Sequence, residues 1–432
     1  MSLLIRQRAG TQYLETSDGV PWQLRGDSPW ELMIRTVEAE AVQYFANRQA
    51  KGFNSGLMEL IATNTPYSPN APANAYGDLP FTGTPFQSSL NTPYWDYVRF
   101  CCEAARDANF VVQAVPNYIG FGGGSEGWWS AMVAAGPSNV AAYGAAVATL
   151  LGDLDNIIWV NGGDWYPTSD FNLITAQATG ILSVDTRHLY TTHWARNSIA
   201  TDGGPYSWLT LNNGYPDQST VSSLLLTSYQ NNPSYATYSI EARYEGSFSG
   251  QPTLNAKDVR VESWAACLQG GRSDNYGNHT IWPFASGWQA AMDSDGAYSI
   301  AAKNAFMDTI QWWKLLPDAS NLMVQSGSRG TLGTTNYVSA AYALDGTLGV
   351  INIPAGGSIT VNRNVMSGSF SATWIDPSNG ASTPVGGGPF PNTGTQVFTT
   401  PGNNADGESD WTLSLQTPTG QFVVPGFGFW GM

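Results

Sequence analysis

The segment NIIWVNGGDW, Asn156 to Trp165, holds four consecutive apolar residues, Ile157, Ile158, Trp159 and Val160, followed by Asn161, two glycines and Asp164. An apolar run this short, without helical spacing, reads as a β-strand buried on both faces, the kind a parallel sheet needs. Gly162 and Gly163 let backbone pass close to its neighbours. Asp164 therefore stands just past the carboxyl end of a buried strand, where α/β folds place their chemistry. It is the first candidate catalytic residue.

The same grammar continues on both sides of this strand. Upstream, Val20–Asp27 reads as a strand with an acidic end, after a hairpin that turns at Asp18-Gly19. A helix follows, capped at Thr36 with Glu38 and Glu40 in its first turn and stopped at Gly52. Phe53–Ile61 supplies a second strand, Pro93–Asn109 a helix, Phe110–Pro116 a third strand and Ser130–Leu151 one long helix of small residues. Between them, Ala62–Asn91 is a Pro-, Asn- and aromatic-rich loop too long for a plain connection, the type that builds binding sites. Downstream come helix Asn172–Leu182, strands His188–His193, Ser223–Tyr229 and Tyr235–Glu241, helix Ala256–Gln269, a strand at Asn278–Trp282 and helix Ser299–Trp313. Eight strands roughly paired with helices over about 300 residues predict a (β/α)8 TIM barrel, with a doubly wound sheet as the alternative.

Pro317 stops the last helix, and the pattern changes to short alternating runs: Tyr337–Leu344, Leu348–Ile353, Ser358–Val361, Phe370–Ile375, Gln396–Thr399 and Trp411–Leu415. Turn pairs such as Asp345-Gly346 and Asn379-Gly380 separate them, which predicts an all-β sandwich of about 110 residues. The expected division is a catalytic barrel over residues 1–317 and an accessory β-sandwich over 318–432.

Composition narrows the partners. Only 12% of the 432 residues are charged and the net charge is −15 with 18 Lys and Arg, so the clustered cations that phosphate binding needs are missing and nucleic acid is not expected. No stretch approaches the roughly 18 to 20 apolar residues of a membrane span. A surface this poor in charge and rich in Gly, Asn, Ser and Thr suits a secreted or periplasmic protein whose leader is not present in this chain. The 17 Trp and 20 Tyr point to a carbohydrate partner, because flat aromatic faces meet the apolar face of a sugar ring while amides and acids take its hydroxyls. Cys101, Cys102 and Cys267 fit neither a zinc pattern nor an even disulfide framework and are expected as buried free thiols. Oligomeric state is not encoded in any of these features.

Cleaving a glycosidic bond takes two carboxyl groups and neither metal nor cofactor: a protonated one donates to the leaving oxygen, and an ionised one attacks or stabilises the oxocarbenium-like centre. In YATYSIEARYEG, Tyr235 to Gly246, Glu241 ends the presumed seventh strand three β/α units after Asp164, and Glu245 follows four residues later. Both are candidates for the partner of Asp164. Asp27, Asn54, Asn117, Asn161, Trp165, His193, Tyr229, Asn278 and His279 lie at or near predicted strand ends and are candidate substrate-binding residues. His193 and His279 have no third partner at metal spacing, so no metal site is assigned.

Several motifs together carry a family resemblance. GDSPWEL (Gly26–Leu32), QAKGFN (Gln49–Asn54), NIIWVNGGDW, EARYEG (Glu241–Gly246) and DVRVESWAACLQGGRSDNYGNHTIWPF (Asp258–Phe284) resemble, in order and spacing, the apiosidase-like family of glycoside hydrolases, related to clan A barrels. WIDPSNGASTPVG (Trp374–Gly386) and FPNTGTQVFTTPG (Phe390–Gly402) resemble the collagen-binding-type β-domain that follows those barrels. The resemblance implies a glycosidase acting on plant-type glycan, with the acid/base ending strand four at Asp164 and the nucleophile ending strand seven at Glu241. This chain departs from the family at both places: Gly163-Asp164 replaces the more usual Asn-Glu pair, and Ile240-Glu241-Ala242 replaces Gly-Glu-Pro, which keeps Glu245 in play.

Two other function classes compete. A catalytically silent barrel that binds glycan would hold its carboxyl groups too far apart for hydrolysis. A serine esterase would use Ser125, since Gly123-Gly124-Ser125-Glu126-Gly127 fits G-x-S-x-G, although Asn117–Gly124 separate that serine from the preceding strand.

Overall fold

A computed structural model describes residues 2–204 and 206–418. Eight parallel strands form the barrel: β1 (Arg25–Asp27), β2 (Ser55–Glu59), β3 (Val111–Val115), β4 (Ile157–Gly162), β5 (Leu189–His193), β6 (Asn212–Tyr215), β7 (Thr237–Ser239) and β8 (Asp274–Tyr276). They are hydrogen-bonded in the order β5-β4-β3-β2-β1-β8-β7-β6, and every neighbouring pair is parallel. The seam between β5 and β6 is joined by the Leu211 N–H on the Tyr190 carbonyl (3.0 Å) and by Asn213 Nδ2 on Thr191 Oγ1 (2.7 Å).

Side-chain parity explains how these strands are packed, since alternate residues of a strand face opposite sides. In β4, Ile158 and Val160 belong to the barrel interior with Leu57, Val111, Val115 and Leu189, whereas Ile157 and Trp159 pack outward against the helices. Both faces are buried, as expected for a parallel sheet. An N-terminal antiparallel sheet (Ile5–Gln7, Leu14–Thr16, Pro21–Trp22) places Leu3, Ile5, Leu14 and Trp22 into the same interior core and so plugs one end of the barrel. Chemistry is left to the other end, where the strands deliver their carboxyl termini.

Several sequence expectations are corrected. The sixth strand is not Ser223–Tyr229, which lies in helix Val221–Asn231, but Asn212–Tyr215, and the eighth is Asp274–Tyr276 rather than Asn278–Trp282, which forms turns. The Ser130–Leu151 helix is two, Trp129–Ala135 and Pro137–Leu151, broken at Gly136, whose φ of 79° no helix accommodates. Val37 rather than Thr36 caps helix Glu38–Ala50, with the Glu40 carboxylate accepting from the Val37 N–H at 3.0 Å. All three cysteines are buried free thiols.

The C-terminal domain is a β-sandwich as expected, but its first strand is Leu315–Pro317, slightly before the expected boundary. That strand edges a six-stranded sheet, continued by Ser339–Ala343, Leu348–Ile353, Trp411–Gln416, Ser371–Ile375 and Ser382–Pro384, while Ser358–Asn362 and Thr395–Thr399 form a second sheet. One face of the larger sheet packs Ile351, Ile353, Leu413, Leu415 and Trp374 into the sandwich core with Ile359 and Phe398. Its other face lays Ala341, Ala343, Leu348, Val350 and Ile375 on barrel residues Trp264, Phe306, Met307, Ile310 and Trp312. At the same seam Arg260 is fully buried and donates Nε to Asp410 at 2.8 Å and Nη1 to Asp406 at 2.7 Å.

Candidate active site

At the carboxyl end of β4 the chain takes three consecutive residues with positive φ: Gly162 (101°), Gly163 (143°) and Asp164 (46°). A side chain at Gly162 would collide with the His193 carbonyl, and one at Gly163 with the Tyr118 ring. Glycine is therefore required at both, and the turn they form lifts the Asp164 carboxyl into the barrel mouth. The left-handed conformation of Asp164 itself is uncommon for a residue with a side chain and costs energy that the surroundings must offset.

Those surroundings are a chain of hydrogen bonds. The Gly163 N–H donates to the His193 carbonyl at 2.7 Å, and the Asp164 N–H donates to His193 Nδ1 at 3.1 Å. Since Nδ1 accepts, Nε2 carries the ring proton and donates it to Glu241 Oε2 at 2.6 Å. His193 at the end of β5 thus ties the end of β4 to Glu241, just past β7. An oxygen of Asp164, a ring nitrogen of His193 and an oxygen of Glu241 all lie within 4.8 Å of one another.

The two carboxyl groups differ in setting. Burial pushes the Asp164 carboxyl above the usual carboxylate range, and the Glu241 charge pushes the same way; the Tyr118 hydroxyl, donating to Oδ2 at 2.9 Å, works against both. Asp164 nonetheless keeps a quarter of its side chain accessible, enough to meet a ligand. Burial lowers the His193 pKa, but Glu241 and Asp164 more than offset it, so the imidazole ends above its ordinary value. Trp30 sets its ring edge-on to His193 (centroids 5.2 Å apart) and donates Nε1 to the Tyr244 hydroxyl at 2.8 Å, while Tyr215 covers the imidazole at 4.8 Å.

Asp164 and Glu241 open into a cavity of about 350 Å³. Tyr67, Phe248 and Trp282 contribute an aromatic cluster with ring centroids 5.1–6.0 Å apart, and His279 stacks on Phe248 at 5.0 Å. Burial drops the His279 pKa to about 4, so this histidine lines the cavity as a neutral ring. Flat faces, hydroxyls and two close carboxyl groups are the equipment of a sugar-cleaving site.

Of the residues expected to act, Asp164, Glu241 and His279 line this cavity, and His193 is buried behind the first two, bonded to both. Glu245 does not. Its carboxylate accepts from the Gly296 N–H (3.0 Å), the Ser294 hydroxyl (2.6 Å) and the Tyr276 hydroxyl, holding the start of helix Asp295–Asp308. Asn278 points its amide at Glu245 (3.4 Å) rather than into the cavity. Asp27 is fully buried in an ion pair with Arg48 (2.6 Å) and accepts from Tyr44. Asn161 accepts from Gln177 at 3.1 Å, and Asn117 turns toward Met132. Asn54 bonds backbone of Arg25 and Gln23, at the opposite end of the barrel. Tyr229 belongs to helix Val221–Asn231 and lies against Arg272. Trp165 packs edge-on against Trp129 at 5.1 Å and supports the loop at Gly123. Ser125 is exposed on that loop, ten residues beyond β3, with no histidine bonded to it among the described residues, so it does not stand on the strand-to-helix turn of an esterase elbow.

Residues the sequence did not single out complete the walls: Trp30, Glu31, Glu59, Tyr67, Tyr118, Arg196, Tyr215, Arg243, Tyr244, Phe248 and Trp282. Glu59 had a legible signal, since Ser55, Leu57 and Glu59 share one parity in β2. As for metals, Asp164, His193 and Glu241 could each offer one ligand atom, but both His193 nitrogens are already engaged, and a cation would have to break the bond to Glu241.

Residues 8–314 match the model of the family described as "Apiosidase-like, catalytic domain". The chain belongs to the apiosidase-like family. It is accordingly a glycosidase, an enzyme that hydrolyses O-glycosyl bonds. Residues 317–416 match a second model, "Putative collagen-binding domain of a collagenase". Among solved structures, one described as "Glycoside hydrolase" superposes with TM-score 0.83 at 19% identity, covering 97% of this chain and 98% of its own. A glycoside hydrolase family 5 protein from Bacteroides vulgatus ATCC 8482 gives 0.83 at 18% identity, covering 98% and 95%. Both likenesses span barrel and β-domain, and at these identities they speak to the fold. No curated protein sequence matches.

Proposed function

We propose that this apiosidase-like enzyme is a retaining glycoside hydrolase acting on plant-type glycans outside the cytoplasm, with Asp164 as general acid/base and Glu241 as nucleophile. The observation that carries the reading is the proximity of the two carboxyl groups, whose oxygens approach within 4.8 Å. Retaining enzymes hold this pair about 5 to 5.5 Å apart, whereas inverting ones need about 6.5 to 9.5 Å to fit a water. A silent, sugar-binding barrel has no use for such an approach.

The roles follow from the environments. Asp164, with its pKa raised by burial and by Glu241, keeps a proton for the leaving oxygen. Glu241, hydrogen-bonded by His193 Nε2, is held on the cavity wall, where its carboxylate would attack the anomeric carbon. The resulting glycosyl-enzyme ester is then hydrolysed by a water that Asp164, now ionised, deprotonates. An extracellular or periplasmic site agrees with the low charge of the chain, and among the described residues no helix is long and apolar enough to cross a membrane. Apiose and arabinose linkages are the first to test, because the family name suggests them.

Asp164→Ala and Glu241→Ala are each expected to lower kcat on a cleavable plant oligosaccharide by about a thousandfold or more with the fold intact by circular dichroism, while Glu245→Gln keeps the chemistry. Proton NMR of the first-formed sugar reads the stereochemistry. An inverted anomer, or full turnover in either alanine variant, would sink the assignment.

A further inference from the structure

The same cavity carries a second pair of carboxyl groups. Glu59 ends β2 on the parity of Ser55 and Leu57, whose neighbours are interior residues, so its side chain enters the barrel mouth. It is 7% exposed, and no hydrogen bond to its carboxyl is formed among the described residues. Glu31, also on the cavity wall, is 3% exposed and accepts from the Ser68 hydroxyl, with Arg35 one turn further along. Burial and the neighbouring Glu31 charge lift Glu59 far above the usual carboxylate range, and burial lifts Glu31 to about 7. Glu59 therefore favours its O–H form, close to solvent space, and its carboxyl makes no hydrogen bond of its own among the described residues. Such a group costs free energy until something accepts its proton. Asp164 and Glu241 line the same space, as do the aromatic rings that would hold a sugar.

We propose that Glu59 is a substrate-binding residue: its carboxyl donates to a hydroxyl of the sugar held beside Asp164 and Glu241, and together with Glu31 it makes this cavity select neutral sugars over those bearing a carboxylate. The inference rests on the glycosidase reading of the cavity. The selectivity arises from charge. Asp164, Glu241, Glu31, Glu59 and Glu126 all face this space against two guanidinium groups, Arg196 and Arg243, so a uronate would enter a wall rich in acidic groups and disfavour the ionised form of each. Both guanidinium groups lean on one carboxylate: Arg196 donates to the Tyr215 hydroxyl (3.1 Å) and to Asp217 (3.4 Å), and Arg243 lies 3.8 Å from the same Asp217, with no hydrogen bond from its Nε among the described residues.

The test uses the full chain carrying Glu241→Gln, so that one protein reports on both binding and the catalytic roles, and follows quenching of tryptophan fluorescence, since Trp30 and Trp282 line the cavity. The probes are arabinose, xylose, galactose, glucuronic acid and galacturonic acid. At least one neutral sugar is expected to bind at least about tenfold more tightly than either acid; adding Glu59→Ala weakens it about tenfold or more, and Glu59→Gln, whose amide still donates, stays within about threefold. Glu31→Gln narrows the gap between neutral and acidic sugars, and it serves as the readout should the alanine variant fold poorly. Neutral-sugar binding unchanged in Glu59→Ala, a gap unchanged in Glu31→Gln, preferred binding of a uronic acid, or no neutral-sugar binding at all would overturn the proposal. Persistent turnover of a cleavable plant oligosaccharide by the Glu241→Gln protein would overturn the catalytic roles instead and leave the binding comparison standing.

Discussion

Tyr118 shows how a single hydroxyl tunes the acid. By donating to Asp164 Oδ2 it stabilises the ionised carboxylate, opposing the burial and the Glu241 charge that favour the protonated form. Removing it in Tyr118→Phe raises the Asp164 pKa further. A general acid works only while protonated, so the alkaline limb of the kcat/KM profile is expected to move to higher pH, as a pH-rate series would record. A shift to lower pH would mean that Asp164 is not the acid. At this scale the approach of Asp164 and Glu241, each two residues beyond a strand, to the cavity was legible, whereas Asn117 and Asn278, in the same kind of position, turn to Met132 and Glu245. The sequence misled for Asp27 and Asn161, which lie within strands on the outward parity and are spent on Arg48 and Gln177. Glu245 could not be sorted from Glu241 in one dimension, because its partner Gly296 lies a full β/α unit away.

The elements that were read correctly are those whose burial is apolar. β4, β3 and helix Asn172–Leu182 announce themselves through runs of Ile, Val and Leu. β6 and β8 do not, because Asn-Asn-Gly-Tyr and Asp-Asn-Tyr have poor strand propensity and persist through partners supplied by distant segments. Asn212 donates to Ser228 Oγ at 2.7 Å, and Asn275 bonds Gln113 and the Ile240 carbonyl. The apolar run Ser223–Tyr229 next to β6 drew the assignment and is a helix with Val221, Leu225 and Leu226 buried. Helix pairing has its own requirement: Gly144 and Gly180 let helices Pro137–Leu151 and Asn172–Leu182 touch, and a side chain at Gly180 would collide with the Ala141 backbone. Gly180→Ala is expected to destabilise the protein by about 1 to 3 kcal/mol in urea unfolding despite its higher helix propensity. A neutral or stabilising effect would show that the two helices can separate at little cost.

For the whole molecule, the shared apolar layer and the buried Arg260 make the β-domain part of the barrel's own packing. Arg260→Ala leaves Asp410 buried without its partner, and a loss of about 3 to 5 kcal/mol is expected, with barrel and β-domain still melting in one transition. Truncation after Pro317 uncovers Trp264, Phe306 and Trp312 and is expected to yield aggregated or inactive protein, checked by gel filtration and turnover. A soluble, fully active barrel would instead make the sandwich a separate binding module. The change from barrel to antiparallel sheets was readable from the switch of hydrophobic period near Pro317, but the seam was not, because the residues that form it read as ordinary helix and strand core.

That seam also sets an order of events during synthesis. The barrel leaves the ribosome first, and its helices Ala256–Ala266 and Asp295–Asp308 are complete long before Leu348–Ile353, the strand that covers them, has been made. The nascent chain must therefore carry an exposed tryptophan-rich face for the time that translating the intervening segment takes. Slow codons placed after the barrel would lengthen that exposure, so the yield of soluble enzyme is expected to fall as translation of its last quarter slows, as soluble expression of synonymous variants would record.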